Sequence, residues 1–207
     1  ALSVMSLSTR LTTFTNTFAH HRYMEWGLFA YAVVESQFLP IPPDVILIVL
    51  ALVRGKESQR FALITAIGSV LGGIVGYMIG RYAFQPVAVP VLNWFCDVPT
   101  DLVCPDVFVP KLKTLFAESG SWVIAASAIS AIIPYKFTIL AAGVAQMALT
   151  PFIIVSFVVH WFRYALVSFL VARYGQRMVH LVRDQLPLVF TIVGTLVLVI
   201  YAPIRYF

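Results

Sequence analysis

The sequence predicts an all-α integral membrane protein in which two proline-broken, re-entrant hairpins face each other at the bilayer midplane beside about three full transmembrane helices. Three observations point there. The chain is 60% hydrophobic and only 11% charged, with a mean hydropathy of +0.91; a soluble domain is nearer half apolar and a quarter charged. Five hydrophobic segments stand out, at 26–53, 61–80, 121–145, 150–172 and 186–204. Two of these five, 26–53 and 121–145, carry prolines and charges at their centres.

Residues 1–25 are polar and read as an amphipathic N-terminal segment rather than a secretory leader. The first broken segment follows, with "ESQFLPIPPD" at its middle: Glu35, Pro40, Pro42, Pro43 and Asp44. Proline removes a backbone donor and clashes with the preceding turn. Broken backbone at membrane depth survives only inside protein or beside a wet cavity, so a hairpin that enters and leaves on one side fits better than a span. Segment 61–80 is long enough for a simple span, and 26–84 forms one hairpin-plus-span unit. Residues 85–120 read as a loop on the non-cytoplasmic side. Cys96 and Cys104 lie eight apart in it, and the spacing suits a disulfide or two free thiols equally. The second unit, 121–175, repeats the plan: a segment broken at Pro134 with Lys136 beside it, then the span 150–172. A last transmembrane helix covers 186–204.

Charge supports this topology. With both broken segments re-entrant, Arg10, Arg22, Arg54, Lys56, Arg60, Arg173, Arg177 and Arg183 fall on one side. Lys111, Lys113 and Arg205 fall on the other, among Asp97, Asp101, Asp106 and Glu118. The basic side is cytoplasmic by the positive-inside rule. A net charge of +5 then reads as orientation and affinity for anionic lipid, not for nucleic acid.

The two units align at a fixed offset of 92: Pro42 falls on Pro134 and Arg81-Tyr82 on Arg173-Tyr174. With opposite orientations, this is an inverted repeat of the kind that builds transporters. The same offset lays Asp44 over Lys136 and Glu35 over Ser127. It leads to the expectation that Asp44 and Lys136 approach each other near the midplane.

"ESQFLPIPPDVIL", "GSVLGGIVGYMIGR" and "IPYKFTILAAG" together resemble the DedA family, also called the SNARE-associated Golgi or VTT-domain family, over roughly residues 25 to 175. The third motif is similar to the YqaA-like branch. Where most members have arginines three residues either side of the second proline, this chain has Ala131 and Phe137, and its nearest base is Lys136. The resemblance implies two facing re-entrant hairpins and movement of lipids between leaflets: undecaprenyl phosphate or phospholipid in bacteria, scrambling in eukaryotic relatives, with links to proton motive force. It also implies a bacterial cytoplasmic membrane.

Several residues are candidates for that work. An ionised side chain inside the bilayer costs roughly 2.5–3.5 kcal/mol on insertion scales and is a functional candidate by default. Glu35 ranks first, because Asp44 has a competing role as cap of the helix starting near Val45. Lys136 is either a point charge for a lipid phosphate or the partner of Asp44 or Glu35. Arg163 lies mid-span and needs a cavity or an acid, and a functional role and a structural pairing with Glu35 are both open. His160, three residues before it, reads more readily as a packing histidine than as a relay. Pro42 and Pro134 shape the two tips. Gly68, Gly72, Gly73 and Gly76 form a small-residue stripe for close helix packing, and Gly143 serves the second hairpin. Nothing resembles a Ser-His pair, an aspartate pair or a metal motif, so no enzyme and no cofactor are expected. The partners expected are lipids with an anionic headgroup, and protons if transport is coupled. The sequence also admits a homodimer. The rival readings are a proton-coupled ion or drug transporter and a membrane scaffold that transports nothing.

Overall fold

A computed structural model describes residues 21, 23–37, 43–93, 96, 104–129, 135–175, 188 and 191–192. Among these the ordered elements are all helical. Helix α1 covers Met24–Glu35 and α2 covers Asp44–Val53. A single 3-10 turn, Gly55–Glu57, leads into α3, Ser58–Met78. The same rod continues through a wide-turn stretch, Ile79–Ala88, into the short α4, Val89–Asn93. Helix α5 covers Pro105–Ile129, α6 covers Tyr135–Val144 and α7 covers Leu149–Tyr174.

Two rods are long and apolar enough to cross a membrane, Gly55–Asn93 and Leu149–Tyr174. Helices α2 and α6 are apolar but only 10 residues each, about 15 Å or half of the hydrocarbon thickness. The expected helix at 186–204 lies almost wholly outside the described residues, as do Pro42 and Pro134 at the centres of the two breaks.

The two long rods run antiparallel. At one end, Gln59 Nε2 donates to the Ala165 carbonyl at 3.1 Å, and a β-carbon on Gly55 would touch that of Ala172 at 3.5 Å. Arg60 pairs there with Glu25 at 2.8 Å, so the start of α1 sits at the same end. At the other end, Tyr77 donates to the Met147 carbonyl, and Gly120 of α5 lies against Met147. Helices α1 and α2 therefore have their outer ends near Arg60, while α6 ends near Tyr77 and α5 passes Met147 there at Gly120.

Packing has the same inverted symmetry. Helix α2 packs on α7 as α6 packs on α3, and α3 lies against α7 between them. Small residues make this possible. The stripe Gly68, Gly72 and Gly76 faces α1: a β-carbon on Gly68 would lie 2.8 Å from Ala32 Cβ, one on Gly72 would strike Ser36 Oγ and the Val33 carbonyl, and one on Gly76 the Gln37 side chain. Gly143 of α6 and Gly80 meet backbone to backbone at the far end of α3.

Two expectations change in detail. The segment 85–120, read as loop, is helical over 85–93 and again from Pro105. Pro86 lies within the Ile79–Ala88 stretch of i→i+5 turns, a local departure from the α-helical ladder of the kind that accompanies proline. Pro105 is the first residue of α5, where its missing donor would be unpaired anyway, whereas Pro110 lies inside the helix and gives up one amide bond there. Cys96 and Cys104 are joined by a disulfide with their Cα atoms 5.2 Å apart, which ties the end of α4 to the start of α5.

Candidate functional site

The two breaks in the helices bring four charges together. Glu35 is the last residue of α1 and Asp44 the first of α2. Lys136 is the second residue of α6, just past the second break. Arg163 lies near the middle of α7, 14 residues after Leu149. At 1.5 Å per residue that is about 20 Å from the helix start. A guanidinium at such depth needs a counter-charge.

Each acid has a base. Arg163 Nη2 donates to Asp44 Oδ2, and its Nη1 donates to the Ala128 carbonyl of α5 at 3.3 Å. Lys136 Nζ sits 3.9 Å from Glu35 Oε1. Glu35 also feels the charges of Asp44 and Arg163, so the two pairs form one quartet. All four side chains are largely covered, Glu35 at 14% and Asp44 at 16% side-chain exposure being the most so. Both acids come from α1 and α2, and both bases from α6 and α7.

The pairing corrects the expectation drawn from the offset. Asp44 pairs with Arg163, not with Lys136, and Lys136 takes Glu35 instead. Correspondence under a repeat would not by itself bring two residues into contact. The capping role for Asp44 also gives way. It is the first helical residue behind Pro43, no side-chain cap bond forms, and its carboxylate turns to Arg163. Ser127, the residue over which Glu35 aligns, is buried and spends its hydroxyl on the Ile124 carbonyl of its own helix at 3.0 Å.

The two pairs differ in length. Arg163 is held at two points on two different helices. The Glu35–Lys136 contact is a long ion pair between a helix end and a helix start, beside the breaks. Gln37, two residues past Glu35, anchors that end of α1 by donating to the Gly72 carbonyl at 3.1 Å. No sequence signal singled out Gln37. Among the described residues there is no group of His, Cys, Asp and Glu that could hold a metal ion.

Comparison with known proteins agrees with the geometry. The profile of the VTT domain matches residues 39–173, which includes both breaks and both long rods up to the end of α7. An uncharacterized protein of Haemophilus influenzae is 35% identical over 187 residues, 90% of this chain and 92% of that protein. An uncharacterized protein of Histophilus somni is 30% identical over 191 residues, 92% of this chain and 95% of the other. No solved structure matches the chain. A profile spanning well over half the chain, and a helical frame broken twice where the profile matches, lead to one conclusion: the chain belongs to the VTT-domain, or DedA, family of membrane proteins.

Proposed function

We propose that this protein moves lipids bearing a phosphate headgroup between the two leaflets of the bacterial cytoplasmic membrane. A polyprenyl phosphate such as undecaprenyl phosphate and a phospholipid both carry that group. In this reading the two broken helix pairs are re-entrant and carry the quartet to the midplane, and the headgroup crosses there while its tails stay in lipid. No covalent step, cofactor or nucleic acid takes part.

The observation that carries the proposal is the asymmetry of the quartet. The long Glu35–Lys136 pair is the one an anion can open, because a phosphate can replace Glu35 at Lys136. Arg163, held by Asp44 and the Ala128 carbonyl, keeps the tips in register. Protonation of Glu35 would release Lys136 in the same way, which admits proton coupling.

Purified protein in liposomes tests this. Fluorescent lipids with phosphate and with neutral headgroups are loaded in the inner leaflet, and their appearance outside is followed by quenching. Movement that favours the phosphate headgroup supports the proposal. Proton flux with no lipid movement supports an ion transporter instead. Neither activity would leave a scaffold whose charges only hold the hairpins together.

A further inference from the structure

The buried face of α7 carries polar residues at every fourth position: Ser156, His160, Tyr164 and Ser168. All four are at most 5% exposed. Twelve residues separate the first from the last, about 18 Å along the helix and more than half of the hydrocarbon thickness. A helix core in a membrane gains nothing from such a row through packing alone, since each polar group needs a partner there.

The row is partly connected. Tyr135 of α6 donates from its hydroxyl to Ser156 Oγ at 2.8 Å. The His160 ring lies between Tyr135, at 4.6 Å between ring centroids, and Tyr164, at 5.8 Å. The Tyr164 and Ser69 hydroxyls are 3.2 Å apart, across to α3. His160 Nδ1 is 2.9 Å from the Ser156 carbonyl. A carbonyl only accepts, so Nδ1 carries the hydrogen and Nε2 holds the lone pair.

Two buried side-chain atoms among the described residues have no hydrogen-bond partner: Ser168 Oγ and Asp44 Oδ1. Ser168 is at the end of the row, and Asp44 is bound to Arg163, one residue before Tyr164. An orphaned polar atom at zero exposure calls for a small partner, and water is the usual one.

We propose that this row is a proton path through the α3–α7 interface, with His160 as its carrier and water at Ser168 Oγ and Asp44 Oδ1. A protonated water gives its proton to His160 Nε2. The imidazolium keeps its Nδ1–H on the Ser156 carbonyl and releases the Nε2 proton to the next water or hydroxyl. Only a proton is exchanged. The charged and titratable groups around the carrier are Arg163 and Tyr164 on its own helix, Tyr135 on α6 and Asp44 on α2, with Glu35 and Lys136 beyond them. Helix α3 contributes Ser69, and α5 the Ala128 carbonyl. The path passes the quartet, so it deepens the transport reading and rests on it only for the use made of the proton.

The test measures proton uptake and lipid movement separately in the same liposomes, with a pH-sensitive dye inside and a potassium diffusion potential to drive protons. Wild type should take up protons. His160→Gln retains a donor for the Ser156 carbonyl but cannot carry a proton, and uptake should fall to the protein-free rate. Ser168→Ala removes only the orphaned hydroxyl; it should fold normally and still lower uptake clearly. No uptake by wild type, or uptake unchanged in His160→Gln, overturns the proposal. If His160→Gln does not fold, uptake unchanged in Ser168→Ala overturns it. Uptake that depends on His160 without any lipid movement would sink the lipid reading and leave the proton path standing.

Discussion

Asp44 and Arg163 are bound to each other across 119 positions of sequence, one at the start of a half-length helix and the other in the middle of a full-length one. The bond joins α2 to α7. It fixes the start of α2 against the α7 rod, and the Ala128 carbonyl holds the end of α5 on the same guanidinium. One arginine thus ties α2 and α5 to α7.

That arrangement predicts strong coupling. Asp44→Asn or Arg163→Met alone leaves a buried charge unpaired and should cost about 3–5 kcal/mol. The double variant should recover most of the loss. A thermal-melting cycle in detergent measures it. The same cycle on Asp44 and Lys136 should show a smaller coupling, since their charges meet different partners. Equal coupling in both cycles would mean that the quartet is rearranged.

The Glu35–Lys136 pair should behave differently. At 3.9 Å it contributes less to stability than the Asp44–Arg163 bond. Lys136→Met should therefore abolish movement of phosphate-bearing lipid while lowering the melting temperature less than Asp44→Asn does. Glu35→Gln should also stop transport with little loss of fold, because the tip geometry survives and the exchange of acid for phosphate does not. Normal transport by either variant would remove that residue from the mechanism.

Much of this frame was legible in the residues. Prolines with charges inside apolar segments marked both breaks, and the glycine spacing marked the face of α3 that α1 covers. What could not be read was which charge meets which. The offset of 92 aligns Asp44 with Lys136, and an alignment fixes correspondence rather than contact. Arg163 reaches Asp44 because α7 crosses α2, a tertiary fact with no local signal. The helices at 85–93 and from Pro105 were hidden for another reason. Proline-rich sequence favours a loop locally, yet here Pro86 sits within the wide-turn stretch, Pro105 opens α5 and Pro110 lies inside it.

Close helix approach gives a third prediction. Gly72→Ala would press a methyl group into Ser36 Oγ and the Val33 carbonyl, and Gly143→Ala one into the Tyr77 carbonyl and the Arg81 amide. Backbone atoms cannot move aside as a side chain can, so each should cost about 1–3 kcal/mol. Gly27 has nothing within 4 Å of its would-be β-carbon. Gly27→Ala should instead stabilise α1 by up to about 1 kcal/mol through helix propensity. Melting temperatures of the three variants, compared side by side, separate packing from propensity.

The last prediction joins topology to redox chemistry. The Gly55–Ala172 and Gln59–Ala165 contacts put the basic turn at 54–60 and the end of α7 at the same end of the molecule. The Cys96–Cys104 disulfide follows the far end of the first rod, beyond Gly80 and Gly143. Disulfides persist in oxidising compartments, and positive charge stays in the cytoplasm. Both rules therefore assign the same orientation. With both native cysteines replaced by serine, single cysteines at the exposed positions Lys56 and Arg173 should resist an impermeant thiol reagent in intact cells, whereas one at exposed Lys113 should react. In the native protein, two thiols should titrate only after reduction. Reaction at Lys56 but not at Arg173 would break the antiparallel arrangement of the two rods, and with it the inverted repeat. Reaction at both, with Lys113 protected, would keep the fold and reverse its orientation in the membrane.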